Sequence, residues 1–418
     1  MGLDRAAVRE LIDRPRGPVD RLRAEALPGV LAGIVLDHRE QWWHRAACAR
    51  ALDGHVPAEH AAELLAVAED GQVGSEIRRP LLDALATTPG PHRAGLLAWL
   101  RAQEGVKQPY GMAEGLLRAR ARLGDLDAAE PLVALAASPW THLREIGMAA
   151  IATLEATHGR AALLAALGAD SLDALAFAAP DEAHRLLGVR LLDDDAGDVT
   201  PALADPSVIV AREAYERRAE DFVSDDGPLL DLVDRRGPGH LWALAVLDAL
   251  GHPIRETWEA LGPPLIVLPG VPADVRQAIV RRYAPGERQT DPRWLLEAAC
   301  LPPVSGPDEH ELLGRAVDAL ATAGLAPGTP EHAGNLGGSG GVGTYHSIPT
   351  RPGVVSVCDL GPFFADRGDP DVLAAMTGAG FRPIAGELAE TVVEGLYVYW
   401  FGDRKEMTVR ELLFYWQD

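Results

Sequence analysis

The stretch LGDLDAAEPLVALAASPWTHLREIGMAAIATL, residues 123–154, decides the fold because it predicts two short helices joined by a tight corner. The first helix runs from Ala128 to Ala137. Ser138-Pro139 begins the second, since Ser can accept a hydrogen bond from a free helix N–H and Pro suits the first helical position. The apolar stripe of the second helix has the period of an α-helix; it consists of Leu143, Ile146, Gly147, Ala150 and Leu154. One helix pair cannot cover such a stripe, so we expect neighbours of the same kind.

Arginines near predicted helix starts recur at a regular spacing. They are Arg45, Arg78, Arg144, Arg212 and Arg276, and the intervals of 33, 66, 68 and 64 residues are close to one or two periods of about 33. Apolar residues at three- and four-residue spacing follow each of them. This periodicity predicts an imperfect repeat of helix pairs stacked into a solenoid. The alternative is a non-repetitive helical domain in which a common residue matches the spacing by chance.

Two stretches resemble a known family. Residues 123–154 and the segment DPSVIVAREAYERRA, residues 205–219, resemble HEAT repeats of the armadillo/HEAT class. In that family an Asp-Pro corner precedes a Val/Leu-Arg pair at the start of the second helix, and Asp205-Pro206 with Arg212 matches this pattern. The resemblance covers about residues 35–325 and implies a mainly α fold, a HEAT-like α-solenoid of helix pairs. It implies a fold rather than a function, because one fold serves many functions.

Length and composition limit the possible classes of protein. The 418 residues exceed one compact core, and a hydrophobic content of 47% is enough to bury one. The net charge of −22 disfavours broad contact with nucleic-acid phosphates and favours a basic protein partner. Only Lys107 and Lys405 are lysines, which together with abundant Ala, Gly and Arg indicates a GC-rich, bacterial-like coding sequence.

The N-terminal residues lack the apolar core of a secretory signal. The longest apolar run nearby, residues 27–36, has ten residues, whereas a membrane-spanning helix needs about 20. We therefore expect a soluble cytoplasmic protein that makes no membrane contact.

The composition changes after residue 325, which predicts three segments. Residues 1–325 form the helical repeat array, residues 326–353 a Gly/Pro-rich linker or loop, and residues 354–418 a small α+β domain or a cap on the array. Within the last segment, residues 354–358 predict a strand and Asp369-Pro370 begins a helix. Two further strands, residues 391–401 and 407–416, are predicted to form a hairpin.

Three C-terminal side chains, His346, Cys358 and Asp359, could form a thiol–imidazole site, because a cysteine nucleophile needs a nearby base. Cys358 ends a strand-like run, where a buried and inert thiol is commoner, and we favour that interpretation. Cys48 and Cys300 lie far away in sequence and show no CxxC pairing, so no disulfide framework is indicated. The histidines occur singly without paired ligand spacing, so the sequence predicts no metal site and no cofactor.

Five residues are the candidates for partner binding. Trp42, Trp140 and Trp242 lie close to helix starts, where aromatic side chains of a solenoid groove can anchor a partner. Arg144 and Arg212 belong to the series of arginines near predicted helix starts. The alternative roles are packing between repeats for the tryptophans and bonding of neighbouring carboxylates or carbonyls for the arginines.

These features predict a non-catalytic scaffold that binds a protein or peptide on the concave face of the array. Two enzymatic alternatives stay open. The stretch ASPWTHLREIGMAA resembles the Trp–Arg arrangement of HEAT-like DNA glycosylases that act on alkylated bases. Residues 1–330 carry 33 basic and 49 acidic residues, a net charge of −16, which makes nucleic-acid binding unlikely. The other alternative is an enzyme with an uncharacterised site in the C-terminal domain.

Overall fold

The computed structural model describes residues 2–14, 19–195, 197–221, 225–260, 267–302, 308–335, 341–401 and 403–417. The protein is mainly helical, with 61% of the residues in helices, and a small β region lies near the C-terminus. The chain divides into two compact units, Met1–Asp198 (unit 1) and Val199–Asp418 (unit 2). This division lies well before the change in composition near residue 325. Across the described residues, every helix is too short or too polar to cross a membrane.

Unit 1 consists of helices and short connections. Its helices are α1 Arg5–Asp13, α2 Val19–Glu25, α3 Pro28–Leu36, α4 Trp42–Ala51, α5 Ala61–Glu69, α6 Ser75–Thr87, α7 His92–Ala102, α8 Met112–Arg122, α9 Ala129–Ala136, α10 Thr141–His158, α11 Arg160–Ala166, α12 Leu172–Ala178 and α13 Glu182–Asp194.

Helices of unit 1 pack in pairs and in rows. The pairs are α3 with α4, α5 with α6, α7 with α8, and α9 with α10, while α4, α6, α8 and α10 contact one another in succession. Leucine and alanine fill the space between them: Leu81, Leu85 and Leu132 are fully buried. Many of the residues at these contacts are alanines, and such small side chains allow the helix axes to approach closely.

Residues 123–154 are helical as predicted, with one difference at the corner. Helix α9 lies within the predicted range, and Gly147, Ala150 and Leu154 of the α10 stripe are buried. Helix α10 begins at Thr141, and its N-cap is Trp140 rather than Ser138. The Ser138 hydroxyl instead accepts a hydrogen bond of 3.2 Å from the Trp140 N–H, because the backbone turns once more before the helix starts.

The first two arginines of the predicted series have the same environment. Arg45 Nε donates to the Val35 carbonyl at 2.8 Å, and Arg78 Nε donates to the Ala68 carbonyl at 2.9 Å. In both cases the acceptor is the penultimate residue of the preceding helix, where carbonyls have no intrahelical partner. Two arginines 33 residues apart therefore make equivalent hydrogen bonds.

Unit 2 combines helices with short strands. Its elements in chain order are α14 Val208–Glu220, α15 Gly227–Arg235, α16 His240–Ala249, α17 Arg255–Ala260, α18 Ala273–Tyr283, β1 Arg288–Gln289, α19 Arg293–Cys300, α20 Glu309–Thr322, β2 Glu331–His332, β3 Val342–Gly343, β4 Tyr345–Pro349, β5 Val354–Cys358, β6 Phe363–Ala365, α21 Pro370–Gly378, β7 Arg382–Pro383, α22 Gly386–Glu390, β8 Leu396–Trp400, β9 Asp403–Lys405, α23 Val409–Leu413 and β10 Trp416–Gln417.

The largest sheet of the described residues has the strand order β2-β4-β5-β6-β7, antiparallel except for the parallel pair β6–β7. Because side chains alternate along a strand, each face of this sheet carries every second residue. One face packs on α20 and α21, where Ile348 and Val357 join Leu312 and Met376 in one apolar cluster. The opposite face carries Cys358, which belongs to a second apolar cluster.

The segment 326–353, expected to be a linker or loop, supplies the strands β2, β3 and β4. Ile348 is fully buried and His346 is 9% exposed, so this stretch is part of the core despite its Gly, Pro and Ser content. Strand β4 pairs with β5 in a hairpin, and this pairing supplies backbone hydrogen bonds that the composition of the segment does not predict. The Gly-rich residues 336–340 of this segment lie outside the described part of the chain.

The predicted C-terminal hairpin is half correct. Strand β8 alternates as expected, with Leu396 and Val398 buried and Tyr399 exposed, and it pairs with β9. The second predicted strand is wrong, because residues 409–413 form helix α23. Thr408 and Glu411 cap this helix reciprocally, each side chain accepting from the other residue's backbone N–H.

Candidate functional site

The predicted binding residue Trp42 is one of two adjacent, exposed tryptophans at the start of α4. Trp42 is 57% exposed, and its ring meets Trp43 edge-on with centroids 6.0 Å apart. The Trp43 indole donates to the Asp13 carboxylate at 3.3 Å, which orients that ring. The Trp42 ring therefore offers a large apolar surface supported by a neighbour held in place.

The structure also exposes Trp140, at the N-cap of α10, where 46% of the residue is accessible. Arg144 lies one turn further along and is half-buried. A small cleft of about 60 Å³ lies close by, lined by residues of α6, α8 and α10 that include Arg79 and His142. Tyr110, which is 89% exposed, forms part of its rim. Exposed aromatic side chains therefore lie at the starts of α4 and α10 and just before the start of α8.

The other two predicted binding residues have structural contacts in unit 2. Trp242 is 6% exposed and packs on Tyr215 with ring centroids 5.4 Å apart. Arg212 donates to the Gln289 carbonyl at 3.0 Å and to Glu216 at 2.6 Å. These contacts are the packing and bonding roles that the sequence left open, so Trp242 presents no surface for a partner.

A polar cluster occupies one edge of the large sheet in unit 2. His332 on β2 lies directly opposite His346 on β4, and the two rings are 4.8 Å apart between centroids. Asp359 follows β5 and points to the same face, because it lies two residues after Val357, the other partner of His346. Glu309, the first residue of α20, approaches this face from the helix that covers it.

Hydrogen bonds assign a role to each nitrogen of the two imidazoles. His346 Nδ1 lies 3.0 Å from Asp359 Oδ1, and His332 Nε2 lies 3.2 Å from Asp359 Oδ2. The Gly334 N–H donates to His332 Nδ1 at 3.1 Å, so Nδ1 is the acceptor and Nε2 carries the proton. Both histidines therefore donate to the same carboxylate. The remaining nitrogen, His346 Nε2, faces Glu309 Oε1 at 3.5 Å.

Burial shapes the electrostatics of this cluster. Burial raises the pKa of Asp359 above its ordinary value, and the hydrogen bond from His346 opposes that shift. Glu309 keeps half of its side chain exposed, whereas the His346 side chain is 11% exposed. A half-buried carboxylate between two imidazoles is typical of sites that bind a cation or hold a proton.

The structure separates Cys358 from His346 and Asp359. Neighbouring residues on a strand point to opposite faces, so the Cys358 thiol points away from the cluster. Its Sγ donates to the Leu413 carbonyl at 3.0 Å and the residue is fully buried. Burial raises the pKa of the thiol, which disfavours the thiolate that a nucleophile requires. Cys358 is thus a packing residue, the interpretation favoured from the sequence.

We expect thiol reagents to distinguish the three cysteines. Cys48 and Cys358 are buried, and burial raises the pKa of Cys48 to about 12, whereas Cys300 is half-buried. Titration with a chromogenic disulfide should therefore modify one thiol in the native protein and all three after denaturation. The variant Cys300→Ser should lose the native reaction. Rapid labelling of Cys358 in the native Cys300→Ser protein would contradict this assignment.

None of three comparisons, with models of protein families, with curated proteins and with solved structures, finds a match for this chain. Its function must therefore be argued from its own side chains. The HEAT-like resemblance keeps the status of a prediction drawn from short, degenerate motifs.

A large cavity in unit 2 offers a second concave surface. It measures about 720 Å³ and is lined by residues 267–271, by parts of α18 and α19, and by Thr391, Val392 and Glu394. Both arginines of the lining are paired, since Arg276 lies 2.9 Å from Glu297 and Arg293 bonds Asp291. Glu394 is the remaining charged residue of the lining, and it is exposed.

The sequence contained half of the polar cluster. The sequence singled out His346 and Asp359, but with Cys358 as their partner. Successive side chains of a strand point to opposite faces, so Cys358 cannot share a face with Asp359. His332 fell in the presumed linker and Glu309 in a helix 37 residues before His346, so only strand pairing and helix packing bring them together.

Proposed function

We propose that this protein is a binding scaffold whose unit 1 recognises a protein or peptide through aromatic side chains at its helix starts. The observation that carries the proposal is the exposure of Trp42 and Trp140, at 57% and 46%. Tryptophan is costly to leave in water and is enriched where interfaces gain most of their free energy. In unit 1 most other large apolar side chains lie in two buried clusters.

A solenoid architecture for unit 1 belongs to the same proposal. It is supported by the succession α4, α6, α8, α10 and by the equivalent bonds of Arg45 and Arg78. Stacked repeats give long, shallow surfaces that suit extended partners. Since the second helices of successive pairs contact one another, their starts would form one continuous edge that carries the exposed aromatic rings.

Charge indicates the kind of partner. The chain carries 61 acidic and 39 basic residues, so its field attracts cationic segments and repels nucleic acid. Several arginines of unit 1 are already neutralised within the fold, such as Arg118 by Asp83 and Arg101 by Asp125. This pairing disfavours the glycosylase alternative, which would need free cations for phosphates. A basic segment with apolar anchors is the partner we infer.

A displayed library of random peptides, selected on the full chain at low salt, tests this function. We expect enrichment of basic peptides with aromatic or aliphatic anchors. Trp42→Ala or Trp140→Ala should weaken their binding about thirtyfold, the effect of losing roughly 2 kcal/mol at an interface hot spot. The matched control Leu373→Ala removes a side chain of similar exposure, 43%, from α21 in unit 2 and should leave affinity unchanged.

Salt provides an independent readout for the same peptides. The association rate should fall as ionic strength rises, because electrostatic steering by the acidic chain is screened. Failure to enrich any peptide, or equal affinity for wild type and both tryptophan variants, would refute a binding role for these aromatic side chains.

A further inference from the structure

We propose that Glu309 and His346 bind a divalent transition-metal ion such as Zn²⁺, and that Asp359 holds His346 in place from the outer shell. One potential ligand atom from each of these three residues lies within 4.8 Å of the others. Imidazole combined with carboxylate oxygen suits Zn²⁺ and similar ions better than Mg²⁺ or Ca²⁺, which prefer oxygen alone. This site lies in unit 2 and does not depend on the proposed partner binding by unit 1.

The distances around His346 favour a cation over a direct hydrogen bond. Since Nδ1 donates to Asp359, the neutral ring has its lone pair on Nε2, which faces the Glu309 carboxylate at 3.5 Å. A charge-assisted N–H···O bond would be about 2.7–2.9 Å long. Two ligands of a tetrahedral zinc ion with bonds of about 2.0–2.1 Å lie roughly 3.3–3.4 Å apart. The observed separation matches two ligands of one ion.

The second histidine supports the site without binding the ion. A metal-bound Nε2 on His332 would require a proton on Nδ1, but Nδ1 accepts the Gly334 N–H. His332 therefore donates to the second oxygen of Asp359, while His346 donates to the first. This chain of contacts is the carboxylate–histidine–metal arrangement that fixes the tautomer and increases the basicity of a ligating imidazole.

Exposure indicates how the ion would enter and what would complete its coordination. Half of the Glu309 side chain is accessible, so the carboxylate side of the site is open to water. Two protein ligands leave at least two positions for water or for a substrate atom, unlike the closed four-ligand sites that serve only structure. An open site can polarise a bound carbonyl or activate a bound water.

Calorimetric titration of the chelator-treated full chain with ZnCl₂ tests the proposal, with Co²⁺ absorption as a second readout of coordination. We expect one ion per chain. His346→Ala and Glu309→Gln should each weaken binding at least about tenfold, and Asp359→Asn about 10- to 100-fold through the lost outer shell. His310→Ala and Glu311→Gln, exposed neighbours on α20, are the matched controls and should bind as wild type.

Circular dichroism of each variant separates loss of the site from loss of the fold. Glu309 is half-exposed, so Glu309→Gln should remain folded. Its affinity for Zn²⁺ therefore tests the site even if His346→Ala does not fold. Absence of binding by the wild type, or unchanged affinity in Glu309→Gln, would overturn the site. If His332→Gln lowers the affinity for Zn²⁺ as much as His346→Ala does, the assignment of His332 to the outer shell would be overturned.

Discussion

Replacing Gly188 by alanine is expected to destabilise unit 1 by about 3 kcal/mol, because a new Cβ would overlap the backbone of the neighbouring helix. A Cβ on Gly188 of α13 would lie 2.4 Å from the Ala176 nitrogen and 2.5 Å from its Cα on α12. Backbone cannot swing aside as a flexible side chain can, so the two helices must separate. Their contact, and the apolar burial that depends on it, would be lost in part.

The same close approach occurs between α10 and α9, where a Cβ on Gly147 would lie 2.3 Å from the Ala136 nitrogen. Gly95→Ala is the matched control, because Gly95 lies inside α7 and its nearest neighbour, Leu65 Cδ2, is 4.0 Å away. Alanine is the better helix former, so this change should stabilise by about 0.5–1 kcal/mol. Denaturant midpoints followed by circular dichroism measure both changes. A Gly188→Ala protein as stable as Gly95→Ala would contradict the packing described.

The second large effect is expected at Asp125, a buried carboxylate with two arginine partners. Its side chain is fully buried, and it accepts hydrogen bonds from Arg120 Nε at 2.6 Å and Arg101 Nη2 at 2.5 Å. Arg120 is itself 3% exposed. Asp125→Asn removes the buried counter-charge of that guanidinium and leaves it only a 3.4 Å contact with the exposed Glu104, which costs about 3–5 kcal/mol. Thermal and denaturant unfolding at neutral pH measure the loss.

Asp127→Asn is the matched control. Asp127 contacts the same Arg101 at 2.9 Å, but its side chain is 75% exposed. Exposed ion pairs contribute little, so this variant should lie within about 0.5 kcal/mol of wild type. If Asp125→Asn and Asp127→Asn are equally stable, burial of the Asp125–Arg120 ion pair does not affect the free energy of unfolding.

The pH dependence of the Asp125 variant follows from the direction of the carboxyl pKa. Burial raises the pKa of Asp125, but the hydrogen bonds from Arg101 and Arg120 outweigh burial, so the folded-state value lies below the ordinary one. The stabilisation is therefore present above the unfolded pKa, about 3.9, and is lost as pH falls through the folded value. The stability gap between wild type and Asp125→Asn should narrow in acid. A gap that stays constant down to about pH 2 would contradict this linkage.

Much of the helical architecture was predictable because it depends on local patterns. The range predicted for the first helix of the 123–154 stretch contains α9, and most of the apolar stripe of the second is buried. Residues 407–416 were misassigned because a short apolar run suits a helix or a strand equally. The Thr408-x-x-Glu411 capping box was visible in the sequence and would have decided for a helix.

Roles of individual aromatic residues were less predictable. Trp42 and Trp242 lie in similar local contexts near helix starts, yet the first is 57% and the second 6% exposed. Helical periodicity states which residues share a face, but not which face a neighbouring helix will cover. Exposure depends on helices that are distant in sequence, such as the one that carries Tyr215.

The sequence by itself determined a mainly helical chain with a small β region at its end, an acidic surface, and arginine positions of which two have the same structural role. Tertiary structure alone decided the polar cluster of Glu309, His332, His346 and Asp359. The physical reason is the separation along the chain over which each interaction acts. Capping and periodicity act over a few residues, whereas this cluster needs three strands in register and a helix packed across them.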